Sequence, residues 1–236
     1  MTTEENTDLA FANEDELLKK GLELSSQLKG CLPTYIDPLT ISMKAKVPFN
    51  ALCIREVLLY RVSELADVAL SSYRNNQLVT AATLTRALIE SVSLLYWLFK
   101  QLVRAVEEGS STRITPFLKR ALVGTRNGAT PLDAHNVLHA IDEMTKDIGG
   151  WRKLYEELCE IAHPNWGGCL GAYAKLNKEK VWYELGQCRL PKPLILGPLV
   201  CSMEFFIHHY NNMIPHLKDF AVLCEKELDT NSPSSG

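Results

Sequence analysis

The stretch TLTRALIESVSLLYWLF, residues 83–99, decides the reading of the fold. From Leu78 to Phe99 the chain carries only two charged residues, Arg86 and Glu90. That length invites a membrane span. Thr80, Thr83, Thr85, Ser91 and Ser93 interrupt the apolar run, and a charge near a bilayer centre is costly. The segment is therefore predicted to be a central helix of a bundle, apolar nearly all round, with no membrane involved. Arg86 and Glu90 stand one helical turn apart on a shared face. Charges on such a helix need partners, either each other or inward charges on a neighbour. Arg before Glu is the weaker intrahelical order, which makes Arg61 and Glu64 of the preceding helix attractive partners.

Working outward, Asn50 is placed to cap a long helix ending near Arg74, and YRNNQ turns the chain into the Leu78 helix. On the first of these helices Glu56, Tyr60, Ser63, Asp67 and Arg74 fall in one arc, the expected polar stripe. Arg61 falls toward the apolar side with Ile54, Leu58 and Leu65. Two long helices joined by so short a turn should pack antiparallel. Upstream, residues 14–30 read as an amphipathic helix with Asn13 as N-cap and Gly30 as stop. The proline-bearing segment 31–49 reads as an extended connection.

Downstream, Thr115-Pro116 and Thr130-Pro131 each look like a helix start with proline at the first helical position. The second of these helices is expected to bury Leu132, Leu138, Ile141 and Met144 and to break at DIGG. Trp151–His163 forms the next helix, stopped by Pro164. A small β-hairpin is expected near residues 169–185, around LNKEK. A last helix should run from Pro198 to about Leu228 with a kink near Pro215. The predicted architecture is mainly α, a helical bundle over residues 14–228 with that one hairpin. Residues 1–13 and 229–236 are expected to be disordered.

The 236 residues carry 25 basic and 28 acidic side chains, for a net charge of −3. That balance lacks the basic footprint of a nonspecific nucleic-acid binder. The acidic N-terminus lacks the basic-then-apolar order of a signal peptide. Seven scattered cysteines without a C-x-x-C point to a reducing, cytoplasmic setting.

The second dense motif is YEELCEIAHPNWGG, residues 155–168. Glu160 and His163 have the Glu-x-x-His spacing that is half of a di-iron motif, but there is no second copy, and Glu204 and His208 are four apart. On the helical wheel both fall with Arg152, Lys153 and Glu156, opposite Leu154, Leu158 and Ile161. Zinc through Cys159, His163 and Cys169 lacks a fourth ligand. No metal or cofactor is implied, and neither a phosphate loop nor a nucleophile elbow is present. SMEFFIHHY, with His208 and His209, suits either a homodimer seam or core packing.

The segments AATLTRALIESVSLLYWL and IGGWRKLYEELCEIAHPNWGGCLGAYAKLN together resemble an uncharacterised family of bacterial helical proteins. In that family an Arg-x-x-x-Glu helix recurs with a Tyr-x-x-Leu-(Ser/Cys)-Glu-x-x-His-Pro-Asn segment. The resemblance covers roughly residues 50–225 and implies a site at Arg86, Glu90, Glu160, His163 and Asn165, with Cys159 where serine is common. A looser likeness is to HEPN-type domains, many of them metal-independent ribonucleases. Their motif places an arginine four to six residues before a histidine on one helix. Here the nearest arginine before His163 is Arg152, so Arg86 would have to act from another helix.

Two functions follow as expectations. One is a binding or interaction module with a polar site inside the bundle, built from Arg86, Glu90, Glu160 and His163, with Asn165 and Arg61 as further binding residues. The other is a HEPN-like ribonuclease or related hydrolase, with His163 as general acid/base, Arg86 as anion stabiliser and Glu160 beside them.

Overall fold

Two long helices, α2 (Lys46–Arg74) and α3 (Leu78–Glu108), form the spine of the protein. The structure is a computed structural model and describes residues 14–231. The turn between α2 and α3 is tight because Asn76 takes a left-handed conformation (φ 57°), which asparagine tolerates better than most residues. The Gln77 N–H then reaches back to the Ser72 carbonyl at 2.8 Å. The reversal lays α3 against α2 along its length. α3 ends on Gly109 (φ 65°), whose left-handed cap lets the Ser110 N–H bond to the Ala105 carbonyl.

The remaining helices pack around α3. α8 (Pro193–Asn231) runs beside it, and α5 (Val137–Asp147) and α6 (Trp151–Ala162) cover a further side. α1 (Glu14–Gly30) lies against α8 and α2, and α4 (Ile114–Val123) against α2. α1 sits so close that a Cβ at Gly21 would meet Leu70 Cδ2 at 2.9 Å. Leu88, Ile89, Val92, Leu95 and Leu98 of α3 have no exposed surface. By length and composition α3 is the one described helix able to cross a membrane, and 56% of its most apolar window is buried inside the fold.

A four-residue helix, α7 (Leu170–Tyr173), leads into the hairpin β1 (Ala174–Asn177) and β2 (Trp182–Leu185). The strands are antiparallel with Leu176 opposite Tyr183. Asn177 Oδ1 accepts from the Glu179 and Lys180 N–H groups and closes the turn. The mainly helical architecture with one small hairpin is as the periodicity predicts.

Several boundaries differ. α2 begins at Lys46, not Asn50, because Pro48 falls in its first turn, where no helical N–H is needed. The α5 helix begins at Val137 instead of Thr130. Thr130 is held in the preceding loop, its hydroxyl donating to the Val123 carbonyl at 2.6 Å, and Asn136 caps the helix. α8 begins at Pro193 and carries Pro198 in its interior. It also continues through Asp229–Asn231, so these three residues are helical and do not belong to a disordered tail. Asn13, residues 1–12 and residues 232–236 lie outside the described residues.

The SMEFFIHHY stretch is occupied by the chain's own core: Met203 and Phe206 are fully buried, and Phe205 packs 5.5 Å from the Trp151 ring. His209 sits edge-on to Tyr96 at 5.1 Å and near Phe99 at 5.6 Å, with His208 at 5.1 Å. Burial, then the neighbouring His208, pull its pKa down to about 4. The unfolded chain takes up this proton near pH 6.5 and the folded one only near pH 4, so stability falls as pH drops through that window. The ring is only part-buried, so we expect about 1–2 kcal/mol. Urea unfolding at pH 7 and pH 4.5 should show a shallower loss for His209→Phe than for wild type. Equal losses would remove His209 from the account.

Candidate functional site between α3 and α6

Three residues at successive turns of α6 face α3: Trp151, Tyr155 and Cys159. Trp151 is the anchor. It is 1% exposed, and its Nε1–H donates to Ser93 Oγ of α3 at 2.8 Å. One turn on, Tyr155 reaches both charged residues of the α3 stretch. Arg86 Nη2 donates to the Tyr155 hydroxyl at 3.0 Å, and that hydroxyl donates to Glu90 Oε1 at 2.9 Å. Another turn on, Arg86 Nε donates to Cys159 Sγ at 3.0 Å. Arg86 and Glu90 also pair directly, Nη2 to Oε1 at 3.1 Å. The four side chains form one closed cluster.

The two charges are partners of each other and of α6, not of α2. Arg61 is exposed and donates to Ser91 Oγ at 3.1 Å, and Glu64 is exposed. Arg61 and Glu64 therefore stand outside the cluster. The pair is also not dry: the Arg86 and Glu90 side chains are 29% and 23% exposed, at the rim of the core.

The electrostatics follow from this placement. Burial disfavours the Arg86 cation, but the Cys159 hydrogen bond, the Glu90 charge and the Tyr155 hydroxyl outweigh it, and the pKa is raised. The Tyr155 phenol is pushed up to about 12, first by burial and then by Glu90. At neutral pH the cluster holds a guanidinium, a carboxylate and a neutral phenol, with the two charges offsetting. Arg86 Nη1 and Glu90 Oε2 make no hydrogen bond among the described residues. Neither is among the buried polar atoms left without a partner, so both reach solvent.

Removing Glu90 should cost less than the breaking of a fully buried pair. We expect Glu90→Ala to lose about 1–2 kcal/mol, since Arg86 keeps partial solvation while the Tyr155 hydroxyl loses its acceptor. The double change Arg86→Met/Glu90→Leu should recover part of that in urea unfolding. Equal losses in the single and double variants would count against a paired site.

The other residues of the α6 motif are placed differently. Glu160 and His163 are exposed. His163 is the C-cap of α6, and its ring makes no hydrogen bond or ion pair among the described residues. Asn165 Nδ2 donates to Glu160 Oε2 at 2.6 Å, while its Oδ1 accepts from the Gly168 N–H at 3.2 Å. These contacts fold the chain back over the end of α6. The approach is close: a Cβ at Gly168 would lie 2.2 Å from the His163 carbonyl oxygen and 2.4 Å from that of Ile161. The structure thus brings together Arg86 with Glu90, and Glu160 with Asn165, as two separate groups. Among the described residues, no three His, Cys, Asp or Glu side chains converge as metal ligands.

A second polar cluster was not foreseen. Arg55 and Glu56 of α2 are 6% and 7% exposed and are ion-paired. Arg55 stacks 3.4 Å from the Tyr210 ring centroid and donates from Nε and Nη2 to the Tyr210 carbonyl, at 3.2 and 3.0 Å. Tyr210 in turn donates its hydroxyl to Glu56 Oε2 at 2.6 Å. This carbonyl lies just before the point where Pro215, lacking an N–H, interrupts the α8 ladder. The sequence signal was the pair of adjacent opposite charges flanked by apolar residues on both sides in CIREVLL.

Comparison with family models, with curated proteins and with solved structures returns no match to this chain.

Proposed function

We propose that the protein is a helical binding module whose site is the Arg86–Glu90–Tyr155–Cys159 cluster between α3 and α6. The observation that carries this reading is the pair of unspent atoms, Arg86 Nη1 and Glu90 Oε2, held at the protein surface. The rest of each side chain is fixed by α6, so the two atoms present a donor beside an acceptor on a preorganised support. A neutral group offering an acceptor beside a donor is complementary to that pattern. Primary amides and nucleobase edges do so. A carboxylate would meet Glu90, and an ammonium would meet Arg86.

The resemblance to HEPN-type ribonucleases remains the second reading, resting on an exposed His163 whose ring makes no hydrogen bond among the described residues. The geometry favours it less. A stabiliser of developing negative charge needs uncommitted positive charge, whereas Glu90 stands 3.1 Å from the Arg86 guanidinium.

The test is a binding comparison between nicotinamide and nicotinate, with a short single-stranded RNA in parallel. Thermal shift reads binding, and gel analysis reads RNA cleavage. We expect nicotinamide to stabilise the wild type more than nicotinate, and Glu90→Gln to narrow the difference. Equal or absent stabilisation at millimolar concentration sinks the proposed site. RNA cleavage lost in His163→Gln would install the nuclease reading in its place.

A further inference from the structure

The buried Arg55–Glu56–Tyr210 cluster has an open side. A cavity of about 600 Å3 lies between the connection after α1, α2 and α8, and Glu56 and Tyr210 form part of its wall. That volume is in the range of pockets for small organic molecules. Leu32, Ile36, Leu52 and Ile214 supply an apolar surface. Asp37 adds a second carboxylate, and no lysine or arginine lines the space. Arg55 stands behind Glu56 and cancels its charge, so Asp37 leaves the pocket with a net charge of about −1.

The polar atoms are arranged to accept. Asp37 Oδ1 takes the Leu39 N–H at 2.9 Å, which fixes the carboxylate and leaves Oδ2 unspent. Thr40 donates its hydroxyl to the Asp37 carbonyl at 2.7 Å, so the lone pairs of its oxygen remain for another donor. Tyr35, 78% exposed at the mouth, offers an aromatic face suited to a cation. The segment carrying these groups is tied to α2 by the Tyr60 hydroxyl, which donates to the Pro33 carbonyl. Carboxylate, hydroxyl acceptors, aromatic ring and apolar floor are complementary to one ligand chemistry.

We propose that this cavity binds a small organic ammonium compound, with its cation at Asp37 and its apolar body against Leu52 and Ile214. The proposal does not depend on the α3–α6 site, whose residues do not line this cavity. The specificity should come from charge. A matched alcohol loses the ion pair, and a matched acid is repelled by Asp37.

The experiment uses the full chain and three probes of one shape: phenethylamine, 2-phenylethanol and 3-phenylpropanoate. Binding is measured by calorimetry and by thermal shift, with cadaverine as a cation lacking an apolar ring. We expect phenethylamine to bind at least tenfold more tightly than the other three. Asp37→Asn keeps the cap on Leu39, and Tyr35→Ala changes an exposed side chain, so both should fold as wild type. Asp37→Asn should reduce phenethylamine affinity tenfold or more, and Tyr35→Ala severalfold. The proposal is overturned by absent phenethylamine binding at millimolar concentration or by equal binding of the alcohol. Binding unchanged in folded Asp37→Asn would overturn it as well.

Discussion

Replacing Glu56 by alanine should cost about 3–5 kcal/mol, because it strands a buried arginine. Arg55 is 6% exposed and cannot turn to water without opening the α2–α8 contact. The same change removes the acceptor of the Tyr210 hydroxyl. Burial, then that hydrogen bond, already raise the Tyr210 pKa, so the phenol stays protonated and needs an acceptor. The double variant Arg55→Met/Glu56→Leu removes both charges and fills similar volume, and it should lie within about 1 kcal/mol of wild type. Urea unfolding of the three proteins decides. A loss below about 1 kcal/mol for Glu56→Ala would mean that the arginine finds other compensation.

The second large effect is expected at Trp151. Trp151→Ala should cost about 3–5 kcal/mol, by loss of a buried aromatic and creation of a cavity. It also removes the bond to Ser93 that fixes the start of α6 on α3. The consequence should reach the site. Tyr155 and Cys159 follow Trp151 at one-turn intervals, so a loosened α6 should release Arg86 from both. Amide hydrogen exchange should therefore rise along the whole of α6 in the variant. A stability loss with unchanged exchange at residues 155–159 would mean that α6 docks without its anchor.

Much of the fold was legible in the sequence. The apolar stretch 78–99 dictated a central helix, and the turn YRNNQ dictated its hairpin with α2. The misplaced helix starts all lie at prolines. Pro116, Pro131 and Pro198 were read as helix starts, but Pro116 is the third residue of α4, Pro131 lies in the loop before α5 and Pro198 lies inside α8. Pro48, read into the connection, is the third residue of α2. A proline fixes its own φ and forfeits one N–H, and neither property says how many residues precede it in the helix.

The site was half legible. Spacing gave Arg86 and Glu90 a shared face, and the resemblance placed Tyr155 and Cys159 within a motif. It could not say which motif residues face α3. The Glu-x-x-His pattern drew attention to Glu160 and His163, although the wheel set them on the polar side. The residues that meet Arg86 lie at the edge of the apolar stripe, where a tyrosine and a cysteine read as ordinary core. Arg55 and Glu56 were missed for a different reason. A wheel assumes one buried face, whereas α2 contacts α1, α3, α4 and α8 and is buried on several sides. Glu56 and Ser63 consequently lie inside although they align with the exposed Tyr60.

The central claim is that Arg86, Glu90, Tyr155 and Cys159 act as one unit joining α3 to α6. A double-mutant cycle on stability tests it most directly, with Arg86→Met, Tyr155→Phe and the double variant compared by urea unfolding at pH 7. Residues of one hydrogen-bonded network should couple, and we expect an interaction energy of about 1 kcal/mol or more. Additivity within about 0.3–0.5 kcal/mol, the behaviour of independent sites, would contradict the account.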